Sequence, residues 1–136
     1  MNAYKNRLGL MIAMATCVVA LAVPAAGRTA SITRCDIKAL EPEQEAHNLP
    51  LLYGSKITCN GSVTLDDLVT KLQKRSAGSW HVVAGQDWGP VEVRHRHRFW
   101  TYKTCRNSGT FRSKGIMTKG SNSEEDVSAE VRLTCR

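Results

Sequence analysis

Apolar and polar positions alternate, with no Gly or Pro, over residues 91–105 (VEVRHRHRFWTYKTC). That pattern predicts a long β-strand. Side chains on a strand point alternately to opposite faces. Val91, Val93, His95, His97, Phe99, Thr101, Lys103 and Cys105 then share one face, and Glu92, Arg94, Arg96, Arg98, Trp100, Tyr102 and Thr104 share the other. Three arginines buried without partners would lose their hydration for nothing in return, so the arginine face is the wet one. Val91, Val93 and Phe99 point to the core. A bulge near 99–101 would exchange the faces beyond it and bury Trp100 and Tyr102.

The same reasoning divides the rest of the chain. A short strand is expected around 31–37, and 41–48 is an acidic loop with room for one helical turn from Pro42. The apolar run 49–53 reads as an edge strand. A second short strand, 55–59, ends at an Asn60-Gly61 turn. In 62–75, Leu65, Leu68, Val69 and Leu72 recur at helical spacing. Ser62 or Thr64 can cap that segment, Asp66 and Asp67 suit its start, and Lys71, Lys74, Arg75 and Gly78 suit its end. An amphipathic helix is predicted there, laid on the valine side of a sheet. Residues 80–84 and 91–105 are expected to pair as an antiparallel hairpin through the turn-rich 85–90 connection. A strand at 110–118, an acidic loop at 120–126 and a cleanly alternating strand at 127–136 close the chain. The expected fold is α+β: a small, mostly antiparallel β-sheet with one amphipathic helix at about 62–75 and two disulfides.

The N-terminus sets the compartment. Lys5 and Arg7 precede an apolar run from Leu8 to Val23, followed by small residues suited to cleavage. Residues 1–27 therefore read as a secretory signal peptide, leaving one secreted domain at 28–136 with no further membrane segment. Of the five cysteines, Cys17 falls in the leader. An even set remains, Cys35, Cys59, Cys105 and Cys135, which implies two disulfides in an oxidising compartment. Sequential neighbours in a meander tend to be spatial neighbours, which favours Cys35–Cys59 and Cys105–Cys135 among the three possible pairings. No C-x-x-C spacing suggests zinc. The formal charge of +7 includes Lys5 and Arg7, so the exported domain stays basic.

Candidate chemistry concentrates on the predicted arginine strand. Guanidinium groups bind phosphate, sulfate or carboxylate in pairs of hydrogen bonds, and aromatic rings stack on bases or sugars. Arg94, Arg96, Arg98, Trp100 and Tyr102 form the candidate binding set, with Lys103, Arg106, Arg112 and Lys114 nearby in sequence. The plainer alternative is a solvated face whose arginines pair with acids such as Glu130 or guard a sheet edge. His95 and His97 share a face, but no third ligand is fixed by spacing, and no metal or other cofactor is expected. A small nuclease would need Glu92, Arg94 and Arg96 with His81 on a neighbouring strand as the acid. Asn60-Gly61-Ser62 is a glycosylation sequon. Trp88-Gly-Pro-Val followed by Phe99 and Cys105 resembles the W-G-x-V…F…C stretch of secreted subtilisin inhibitors from actinomycetes. The cysteine spacing departs from that family, and no residue roles follow.

The reading is a small secreted, non-enzymatic binding protein, a monomer, whose basic and aromatic strand face meets an anionic extracellular partner: a cell-wall polymer, nucleic acid or an acidic protein. The alternatives are an inhibitor or effector acting through a disulfide-bound loop, at 85–90 or 120–126, and, third, a nuclease-like enzyme.

Overall fold

The computed structural model describes residues 34–135; the predicted leader lies outside them. Among the described residues there is no helix. The described residues form eight antiparallel strands in two sheets. One sheet has the order β1 (Cys35–Glu43), β2 (Leu51–Leu65), β5 (Val91–Lys103). The other has the order β4 (Ser79–Asp87), β3 (Asp67–Ser76), β6 (Gly109–Lys119), β7 (Asn122–Val127), and β8 (Val131–Leu133) continues alongside β6. The fold is all-β, and the expected α+β class is overturned.

The segment read as a helix is the end of β2, a corner at Asp66 and most of β3. Its leucines fit two periods. Leu65, Leu68 and Leu72 obey helical spacing, but Leu68, Thr70 and Leu72 also alternate, and all are fully buried. Two things favour the strand. Val63, Thr64, Val69 and Thr70 are β-branched and lose rotamer freedom in a helix. Both backbone edges of β3 are hydrogen-bonded, to β4 and to β6, a satisfaction that only distant segments provide.

Four further expectations change. β4 and β5 are not a hairpin: β4 pairs with β3 and β5 with β2, so residues 88–90 carry the chain from one sheet to the other. Trp88 anchors that crossing by packing on the core and donating its backbone N–H to the Leu68 carbonyl at 2.9 Å. The two short strands at 49–59 are one central strand, β2, in which Asn60-Gly61 is a bulge rather than a turn. The acidic stretch 120–126 is mostly strand β7. Glu125 pairs with Lys114 at 3.4 Å, and the Asp126 carboxylate accepts the Ala39 N–H at 2.8 Å. That last bond also ties β1 to β7 and closes one side of the sandwich. Of the expected strand at 127–136, Val127 ends β7 and, among the described residues beyond it, only Val131–Leu133 pairs, because Ser128 turns to bond the backbone of Ser113.

Between the sheets lie two apolar clusters. One contains Ile37, Ile57, Leu65, Leu68, Val93 and Met117; the other contains Leu51, Tyr53, Leu72 and Phe111. A hydrogen bond of 2.7 Å between the Ser55 and Thr70 hydroxyls crosses the interior. Both predicted disulfides are present. Cys35 and Cys59 stand directly opposite each other on β1 and β2, and Cys105–Cys135 ties the end of β5 to the tail beyond β8. Loops of 24 and 30 residues give stabilisation of about 3–4 kcal/mol each in the chain-entropy model.

Candidate functional site

Among the described residues β5 is an edge strand, paired with β2 alone. Val93 and Phe99 keep the predicted phase, but His95 and His97, expected on the inner face with them, are exposed. Val93 is fully buried, Phe99 is half-buried, and Arg94, Arg96, Arg98, Trp100 and Tyr102 are exposed, Tyr102 at 68 %. The irregularity lies at His95 rather than at 99–101. Three residues of β2, Cys59, Asn60 and Gly61, oppose His95 alone, and Gly61 (φ 91°) and His95 (φ 60°) take left-handed backbone there. Three against one preserves parity, so the arginines on either side of the bulge remain on one face.

Register decides what joins them. Across the β2–β5 ladder Thr58 opposes Arg96, Lys56 opposes Arg98, Gly54 opposes Trp100 and Leu52 opposes Tyr102. Across β1–β2, Lys38 opposes Lys56 and Leu40 opposes Gly54. The outer face of this sheet therefore carries a row of three cations, Lys38–Lys56–Arg98, straight across the strands. Arg96 lies one step along β5, and the apolar and aromatic Leu40, Trp100, Leu52 and Tyr102 lie on the other side. Strand geometry spaces neighbours in such a row by about 4.8 Å and successive same-face residues by about 7 Å. Beyond Tyr102, an open depression of about 310 Å³ is lined by Glu45, Leu49, Pro50, Leu52 and Tyr102.

The charges here are weakly compensated. Arg94 is engaged by Glu92 at 3.1 Å. Among the described residues no ion pair includes Lys38, Lys56, Arg96 or Arg98. Acids stand at the margins, Asp36 and Glu43 on β1 and Glu92 at the start of β5. The opposite sheet differs. There Arg112 lies over the Trp80 ring at 4.2 Å and donates to Gln73 at 2.8 Å, and Lys114 pairs with Glu125. Arg112 and Lys114 thus belong to another surface, although sequence places them near the arginine strand. Glu130, a candidate partner for the β5 arginines, pairs with Arg75 instead. Lys38 and Lys56 have no sequence signal of their own; only the strand register brings them in.

The remaining candidates separate. Among the described residues no cluster of three or more His, Cys, Asp or Glu is placed to hold a metal. His97 packs edge-on against Phe99, whose ring meets Trp88 in turn. His81 lies on β4, in the other sheet from Glu92, so the adjacent-strand arrangement a nuclease would need is not formed. The 85–90 connection lies outside both disulfide loops. Asp87 accepts the Gly89 N–H at 2.7 Å and also interacts with Asp67. That contact raises the Asp67 pKa, first through the hydrogen bond to Asp87, then through burial and the Asp87 charge. It lowers the pKa of Asp87, first through the same hydrogen bond and then through Gly89.

Fold and face together define a class: a disulfide-stapled all-β sandwich with one basic and aromatic sheet face. No protein-family model matches the chain, and no curated protein matches it.

Proposed function

We propose that this protein is an exported binding protein that holds an extended polyanion across the outer face of the β1–β2–β5 sheet. The observation that supports this most is the Lys38–Lys56–Arg98 row, with Arg96 beside it and Trp100 and Tyr102 next in line. Like charges placed directly opposite one another destabilise a sheet, so such a row carries a cost that an anionic ligand would relieve. Binding would release counterions from the polymer and fall steeply with salt. The arginines would take phosphate, sulfate or carboxylate groups by paired hydrogen bonds, and the aromatics would stack on the sugar or base between them. Two disulfides suit an oxidising, extracellular setting. The test is retention on immobilised heparin of the wild type against the triple variant Arg94→Ser/Arg96→Ser/Arg98→Ser. The variant elutes at clearly lower salt; equal elution salt dismisses the proposal.

A further inference from the structure

The sandwich is closed on the β1–β7 side by the Ala39–Asp126 bond, but on the other side β4 and β5 are, among the described residues, both edges. At the far end of that open side the interior is reachable from outside. A cleft of about 160 Å³ opens between β4 and the end of β5. Leu51 and Phe111, members of the second core cluster, and Val83 of β4 line it. This is about the volume of a cavity that accommodates a benzene ring. Lys74, Lys103 and Arg106 also line it, and none of the described residues that line it is acidic. Lys74 already sits with its Nζ 5.7 Å from the Phe111 ring centre and 3.5 Å from the Asn107 carbonyl. Lys103 is on the inward phase of β5, opposite Leu51, where the two sheets no longer cover each other.

The loop that bears Arg106 is held in place. Cys105 is bridged to Cys135, and the Ser108 hydroxyl both accepts the Cys135 N–H at 2.8 Å and donates to the Cys135 carbonyl at 3.2 Å. A rim of three cations over an apolar floor of ring size meets the general description of a small-molecule site: mostly apolar, with a few convergent polar groups.

We infer that this cleft binds a small anionic amphiphile, a single carboxylate or phosphate carried on an apolar group of about one ring. The apolar part rests against Leu51, Val83 and Phe111, and the anion meets Lys103 and Arg106 with Lys74 behind. The site is separate from the outer face of the β1–β2–β5 sheet and does not depend on the polyanion reading. Phenyl phosphate serves as the probe, with inorganic phosphate and phenol as the two halves of its chemistry. In amide-resolved NMR titration, phenyl phosphate produces saturable shifts at Val83, Cys105, Arg106 and Phe111, and each half alone binds at least tenfold more weakly. The double variant Lys103→Gln/Arg106→Gln loses at least tenfold in affinity. Val83→Trp, at an exposed strand position, fills the cleft and abolishes the shifts while leaving heparin retention unchanged. Shifts confined to Arg96 and Arg98, phenol binding as well as phenyl phosphate, or unchanged affinity in the double variant would each overturn the inference.

Discussion

Lys56 and Arg98 stand directly opposite each other on β2 and β5, and Lys38 stands opposite Lys56 on the other side. Three cations in one rung repel, yet no acid is in register to separate them. Under the proposed polyanion reading, this arrangement sets stability against binding at one position. Lys56→Glu places a carboxylate between two cations. Pairs of this kind contribute roughly 0.2–1 kcal/mol, so the variant unfolds at higher urea while eluting from heparin at lower salt. A variant that gains stability and keeps its retention would show that the row is not the contact surface.

The arginines are not equivalent. Arg94 is hydrogen-bonded to Glu92, whereas Arg96 and Arg98 are not paired in this way. Each cation that contacts the polymer adds about one to the slope of log affinity against log salt. Arg96→Ser and Arg98→Ser each reduce that slope by about one, and Arg94→Ser reduces it less. Arg112→Ser, on the other sheet, leaves the slope unchanged and costs stability through the lost stacking on Trp80. A slope equally sensitive to Arg112 would mean that binding follows net charge rather than this face.

Gly54 lies opposite Trp100, and a Cβ placed on it would collide with the backbone carbonyl of Phe99. The neighbour is main chain and cannot rotate away, so Gly54→Ala forces β5 off β2. Overpacking of this kind costs about 1–3 kcal/mol. The expected result is a lower urea midpoint together with weaker heparin retention, because the displaced strand carries the arginines. An unchanged midpoint would contradict the close approach of the two strands.

Asp67 and Asp87 meet where β3 and β4 run side by side. Asp67 ionises less readily in the fold than in the unfolded chain. It therefore subtracts stability above its raised folded pKa, and that cost disappears as pH falls through it. Asp87 has the opposite sign: its contribution is present above its ordinary pKa and is lost as pH falls through the lowered folded value. Asp67→Asn keeps a hydrogen-bond donor toward Asp87 and removes the second charge. The variant melts above the wild type at neutral pH, and the gap closes as pH falls through the raised folded pKa, where the wild-type carboxyl takes up its proton. Asp87 is exposed and Asp67 half-buried, so added salt narrows the gap at neutral pH. A gap that widens on acidification would contradict the shared hydrogen bond.

Some features were decided by composition and local pattern alone. The phase of β5 followed from the cost of burying three guanidinium groups, which holds whatever the neighbouring strands do. The disulfide pairing followed from an even cysteine count and the tendency of sequential strands to adjoin. Other features were settled only in three dimensions. Leu65, Leu68 and Leu72 satisfy helical and alternating periods equally well, and the choice fell to hydrogen bonds from β4 and β6, which no local pattern encodes. The partners of Arg98 depended on register: Lys38 and Lys56 are distant in sequence, and only antiparallel pairing of β1, β2 and β5 sets them in one row. The cleft at Phe111 arises because two sheets of unequal extent leave an edge uncovered, a property of the packed sandwich rather than of any single segment.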